Sequence, residues 1–304
     1  MPYGNGIVTP RFGRLGTGRR RVSISVFVVG ALAVTVIMSG CKDPGSIQPS
    51  PGSSLTSANP RYPSSMAALG DSITLGFGSC LVPTACPRNS WATGNGTLVN
   101  SHYKRILAAN PAIRGNTHNF AATKATAADL TGQATAAVTA KVEYVTILIG
   151  ANDACHGTID SMTSVTAFRS KIDETLSTLA KGLPKARVLV VSLPDIYHLW
   201  EIAHTNRAAV KVWSTGICPA LLTNPTSTAP VDVTRRAAFR ARIDAYDSQL
   251  AAACTAHRAQ CRYDNGAVHS TAFTLNMIDV VDFFHPNVSG QDAVAKASYP
   301  DRFN

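Results

Sequence analysis

The run "VEYVTILIG", Val142 to Gly150, is an almost unbroken series of β-branched and aliphatic residues. A strand with one wet face alternates polar and apolar side chains, whereas a strand covered on both faces reads as continuous apolar sequence. The run therefore predicts a central strand of a parallel sheet. "ARVLVVSLP", Ala186 to Pro194, has the same character, and "SMAALG", Ser65 to Gly70, is a shorter version of it. Between the first two, Phe168, Ile172, Leu176 and Leu179 recur at helical spacing. Phe239, Ile243, Tyr246 and Leu250 do the same within Thr234–His257. Both stripes read as core-packing faces. Strands alternating with helices predict an α/β fold, a parallel sheet with helices on both sides. Open sheets of this kind bind ligands beyond the carboxyl ends of their strands. Chemistry is therefore expected just after each apolar run.

Two of these runs, taken in chain order, are followed by such residues. Gly70-Asp71-Ser72 ends the first, with further glycines downstream in "ITLGFG". A serine on a tight strand-to-helix turn is well presented as a nucleophile, and glycines leave room for a substrate. Gly150-Ala151-Asn152-Asp153 ends the second, and the late segment "VVDFFHPNVSGQ" supplies Asp282 and His285. Acyl transfer needs a nucleophile, a base that takes its proton, and a carboxylate that orients the base. Ser72, His285 and Asp282 are the right types. Asp282 and His285 lie three apart, so one turn, stiffened by Pro286, brings carboxylate to imidazole. Singly, Asn152 reads as a turn former, Asp282 as a helix cap and His285 as a surface histidine. Their joint occurrence at strand ends carries the functional reading.

Gly70-Asp71-Ser72, Asn119 in "NFAATKATAADL", Gly150-Ala151-Asn152-Asp153 and Asp282-x-x-His285 resemble the ordered blocks of the GDSL, or SGNH, hydrolases. The resemblance spans about Ala67 to Gln291. Segments such as "SWATGNGTLVNSHY" and "GLPKARVLVVSLPDIYHLW" are similar to those of secreted actinobacterial lipases and esterases. The resemblance implies a flavodoxin-like three-layer α/β/α sandwich and an ester substrate, small molecule or lipid, with no metal or organic cofactor. It implies Ser72 as nucleophile, His285 as general base and Asp282 as its orienter. The oxyanion would be held by the Asn152 side chain and the Ser72 backbone N–H. A third backbone donor comes from a glycine in the family, where this chain has Lys124. Residue 124 is expected at negative φ, still donating, because the small residues of "AATKATAA" let the backbone adjust. Its side chain is expected in solvent at the cleft rim. Trp91, Trp200, Trp213, Phe283 and Phe284 are assigned mostly to the core. Two rival readings stand beside the esterase: a cell-envelope O-acyltransferase of the same fold, and a catalytically silent lipid-anchored binding protein. The complete triad argues against the second.

The remaining features concern location. The chain of 304 residues has a formal charge of +10 and 45% hydrophobic residues, enough for a packed core. Half of the excess charge is Arg11, Arg14, Arg19, Arg20 and Arg21, in a stretch of forty residues without an acid. The rest is mildly basic, without a Lys/Arg run, which supports a weak attraction to anionic surfaces and no nucleic-acid partner. Arg19–Arg21 precede the apolar "VSISVFVVGALAVTVIM", Val22 to Met38, a length suited to a signal segment rather than a membrane span. General and twin-arginine export both stay open. "VIMSGC" resembles a lipoprotein cleavage box, with Met38 where leucine is usual and Cys41 as the lipidated residue. Residues 1–40 are thus expected to be a signal peptide, 41–65 a Ser/Pro/Gly-rich tether, and 66–304 the hydrolase domain. An exported monomer is expected, anchored outside the membrane through Cys41 or secreted. The other six cysteines suggest disulfides between sequence neighbours: Cys80–Cys86, Cys155–Cys218 and Cys254–Cys261. The loop-entropy model assigns ~2.5 kcal/mol to each short loop and ~4 kcal/mol to the long one. Zinc is disfavoured, because no C-x-x-C pair occurs and the histidines are scattered.

Overall fold

In the computed structural model, which describes Asn59 and residues 61–303, the three apolar runs form the middle of one sheet. The expected signal segment, Cys41 and most of the expected tether lie outside the described residues. The strands are β1 (Met66–Gly70), β2 (Thr117–Asn119), β3 (Tyr144–Leu148), β4 (Arg187–Val190) and β5 (Cys261–Tyr263). All neighbours are parallel, in the order β2-β1-β3-β4-β5. That is the flavodoxin-like order, with a switch point at the carboxyl ends of β1 and β3. Every residue of β1 and β3 is buried, as their unbroken apolar sequence requires.

The helices are α1 (His102–Ala109), α2 (Leu130–Thr139), α3 (Ala151–Ala154), α4 (Val165–Gly182), α5 (Ile196–Ala203), α6 (Arg207–Trp213), α7 (Pro219–Leu222), α8 (Pro230–Ala256) and α9 (Val288–Ser298). Right-handed crossovers put α2, α4 and α8 on one face of the sheet and α1 on the other. The three pack in the order α2, α4, α8, and both helical stripes read from the sequence are buried between them and the strands. Proline at its start lets α8 begin at Pro230, one turn before the expected Thr234. On the opposite face His102 of α1 is fully buried between the Tyr144 hydroxyl and Ser298 Oγ of α9, each 3.0 Å away. Burial, assisted by Arg105, lowers its pKa to about 3, so it is a neutral core histidine.

One feature differs from the sequence expectation and a second meets it. The last residues of the Ser/Pro/Gly-rich stretch are docked: Pro63 is buried, and Asn110 Nδ2 donates to the carbonyls of Tyr62 and Pro63. The six cysteines are bonded as sequence neighbours: Cys80–Cys86, Cys155–Cys218 and Cys254–Cys261. The second bond links the end of α3 to the start of α7, and the third links α8 to β5.

Candidate active site

β1 ends at Gly70 with φ +150°, and a Cβ there would lie 2.3 Å from the Leu148 carbonyl oxygen. Only glycine fits, and the chain can turn sharply into Asp71-Ser72. Two buried glutamines fix that turn. Gln133 of α2 accepts from the Gly70 N–H (2.7 Å) and donates to the Gly70 carbonyl (2.9 Å). Gln291 of α9 donates to the Ile73 carbonyl and accepts from the Trp91 N–H, both at 2.9 Å. Asn119 Nδ2 donates to the Thr74 carbonyl (3.0 Å) and Thr93 Oγ1 (2.9 Å), tying β2 to the same turn. Asp71 is fully buried; one oxygen accepts from the Ile73 N–H at 2.9 Å and the other has no partner among the described residues. Burial pushes its pKa up to about 7, opposed by the Ile73 N–H and by His285, while Asp153 adds to the rise.

The second part of the site is the turn before α9. Asp282 Oδ1 accepts from the N–H groups of Phe284 (2.8 Å) and His285 (3.0 Å), and Oδ2 lies 2.6 Å from His285 Nδ1. One carboxylate thus shapes the turn and aims the ring. Burial raises the Asp282 pKa, but the imidazole and these two N–H groups outweigh it, so the net shift is downward and the group stays ionised. Phe283 takes a left-handed φ of +50°, which costs a non-glycine residue ~1–2 kcal/mol. Its carbonyl accepts from Trp213 Nε1 at 3.0 Å, which holds the strained position. His285 Nε2 lies 2.8 Å from Ser72 Oγ. Phe77 packs on the imidazole with ring centres 4.6 Å apart. The three residues singled out from the sequence therefore form one hydrogen-bonded chain.

The third part lies beyond β2 and β3. Gly150 (φ +126°) turns the chain into α3, where a Cβ would meet Leu193 at 2.9 Å. Half-buried Asn152 donates through Nδ2 to the Ala125 carbonyl at 2.9 Å, and Asp153 accepts from the Ala127 N–H at 2.9 Å. At the other end of the same loop the Ala122 N–H donates to Gly70 at 3.1 Å. With the loop clamped at both ends, Lys124 has φ +66°, not the negative φ expected. The small flanking residues did not relax the turn because their backbone groups are already engaged elsewhere. The Lys124 side chain is exposed.

Beside the serine turn, Ile73, Ile196, Leu199, Phe273, Phe284 and Pro286 line an apolar cavity of about 30 Å³. Trp91 and Trp213 are buried core residues, whereas Phe284 does face this cavity. The β4 exit that brings Ile196 and Leu199 here is pinned by a second aspartate–histidine pair. Asp247 accepts from the Leu193 N–H at 2.8 Å and lies 2.9 Å from His269 Nδ1. The hydrogen bond to Asp247 raises the His269 pKa to about 9 against the opposing effect of burial. Sequence reading missed Gln133, Gln291 and this pair. None stands in a recognisable spacing, since their partners are largely main-chain groups.

Solved structures resemble the chain at low identity. An acetylxylan esterase from Geobacillus stearothermophilus is 16% identical, with a TM-score of 0.47 over 77% of this chain and 91% of that one. Phospholipase A1 from Streptomyces albidoflavus is 17% identical, with a TM-score of 0.44 over 77% and 98%. The extracellular lipase of Streptomyces rimosus is 17% identical, with a TM-score of 0.41 over 77% and 99%. No protein of curated function matches by sequence. The model of the GDSL-like lipase/acylhydrolase family matches residues 68–293, most of the chain, and the protein belongs to this family of ester hydrolases.

Proposed function

We propose that the protein is an exported serine esterase that hydrolyses carboxylic esters through an acyl-enzyme on Ser72. One observation carries the reading: the continuous hydrogen-bonded chain from Ser72 Oγ through His285 to Asp282, with gaps of 2.8 Å and 2.6 Å. Ser72 Oγ bonds to the ester carbonyl carbon while its proton passes to His285 Nε2. Asp282 remains ionised and holds the Nδ1–H, stabilising the imidazolium. The oxyanion lies among the Ser72 N–H, the backbone N–H at Lys124 and the Asn152 N–H not used by Ala125. His285 then protonates the alcohol oxygen as the ester C–O bond breaks. Water repeats the sequence in reverse roles and frees Ser72. The cavity beside Ser72 has room for one or two carbons, which favours short acyl groups.

Export and anchoring rest on the sequence, on Val22–Met38 and Cys41, and three disulfides suit an oxidising compartment. A fluorophosphonate probe should label the wild-type protein and not Ser72→Ala or His285→Ala, and both variants should lose ester hydrolysis by ~10⁴-fold or more. Wild-type turnover by Ser72→Ala would end the serine-hydrolase reading.

A further inference from the structure

A largely apolar hollow lies far from Ser72. At the amino ends of β3 and β4, a pocket of about 390 Å³ is floored by Tyr144, Ala186, Val188 and Phe303. Strands of five residues span ~16 Å, so this end of the sheet is well separated from the serine turn. Lys185, Arg187, Arg262 and Arg302 line the same pocket, and no acidic residue does. Among the described residues none of the four makes an ion pair. Arg262 donates only to the carbonyls of Arg258 and Cys261. Lys185, Arg262 and Arg302 are exposed. The acids beside it are Asp301 and Asp264 of the adjoining hollow, Asp264 accepting from Ser192, and Glu143, whose carbonyl accepts from the Arg187 N–H and whose carboxylate accepts from the Ser64 N–H.

We propose that this end of the molecule binds the headgroups of anionic phospholipids. Cations around an apolar floor suit an amphiphile, with phosphate at the rim and the glycerol or acyl portion against Tyr144 and Phe303. A soluble polyanion has use for the cations alone. The route of the chain points the same way. Tyr62 packs against Phe303 with ring centres 5.6 Å apart, so the polypeptide arriving from the side of Val22–Met38 and Cys41 enters the domain at this pocket. The cations come from positions 185 to 302, which is why no basic run appears in the sequence. With this end on a membrane, the carboxyl ends of the strands, and Ser72 with them, face away from the lipid.

The test is sedimentation of the full chain carrying Cys41→Ser, which removes the acceptor for lipidation, with vesicles of phosphatidylglycerol or phosphatidylcholine. Comparing the two vesicles cancels the contribution of the apolar segment. Each cation near an anionic surface is worth about fivefold in partition, so Lys185→Gln/Arg262→Gln/Arg302→Gln should lose about a hundredfold on phosphatidylglycerol at low salt. Its partition onto phosphatidylcholine and its hydrolysis of a soluble short-chain ester should match the parent, which also shows that the variant is folded. Equal partition of parent and variant onto phosphatidylglycerol would overturn the proposal. Soluble polyphosphate that binds the parent as tightly as the vesicles do would also overturn it, in favour of a phosphate polymer.

Discussion

Replacing Gln133 by leucine tests whether the serine turn is held from behind. Gln133 is buried and serves Gly70 twice, accepting from its N–H and donating to its carbonyl. The carbonyl keeps a second partner, the Ala122 N–H at 3.1 Å, so leucine leaves only the N–H without a partner. An orphaned buried donor costs ~1–3 kcal/mol and the lost second bond ~0.5–1.5 kcal/mol. Burying a leucine of similar size returns ~1 kcal/mol of that. The net loss is about 2 kcal/mol, a fall of roughly 4–8 °C in Tm for a domain of this size. Urea titration of the oxidised protein gives the stability, and steady-state hydrolysis of a short nitrophenyl ester gives the rates. Because Gly70 precedes Ser72 by two residues, kcat should fall while KM holds. Gln133→Glu should recover part of both losses at acid pH, where its carboxyl regains a proton to donate. A Gln133→Leu protein within about 0.5 kcal/mol of wild type and with wild-type kcat would refute the reasoning.

Asn152→Ala should lower kcat by ~10²–10³ with little change in KM, since a donor aimed at the oxyanion acts in the transition state; a pure KM effect would remove Asn152 from that role. Asp71→Asn keeps the acceptor for the Ile73 N–H and removes a buried titration. The unfolded carboxyl gives up its proton near 3.8 and the folded one near 7, so wild-type stability falls as pH rises between them, by on the order of 4 kcal/mol. The asparagine variant should gain on wild type across that window and no further above it; parallel pH profiles from pH 4 to 8 would contradict this. Lys124→Gly relieves ~1–2 kcal/mol of left-handed strain, offset by ~1 kcal/mol of chain entropy, and should be neutral to slightly stabilising. Lys124→Val should be worse than lysine, and a valine variant as stable as wild type would show that the turn relaxes after all. Replacing Cys155 and Cys218 together by alanine should cost about 4 kcal/mol by the loop-entropy model. A loss no greater than for the Cys80 and Cys86 pair would show that loop length does not set its value.

The central strands were legible because burial on both faces leaves no choice of residue, as in Val142–Gly150. The edge strands β2, "THN", and β5, "CRY", were not. They are short, half covered and partly polar, so neither continuous nor alternating apolar sequence marks them. At the site, Ser72, Asn152, Asp282 and His285 stood out because chemistry restricts their identity and the sheet restricts where they fall. Gln133 and Gln291 left no such mark, since most of their partners are peptide groups that every sequence carries. The φ of Lys124 was illegible for a related reason: it follows from clamps by Asn152 and Asp153, which lie far along the chain.

The latch on the serine turn has a consequence for how the protein is made. Ser72 is among the first residues of the domain to be synthesised, yet His285 lies 213 positions after it and Gln291 lies 218 after Ile73, whose carbonyl it holds. A chain that has delivered all five strands but not the segment from His285 through α9 still has a loose turn and a serine without its histidine. On the proposed mechanism, ribosome-bound or C-terminally clipped molecules are therefore expected to be inert toward the esters around them. Hydrolysis is then expected to begin only when the last helix docks, so that the appearance of activity would mark the completion of folding.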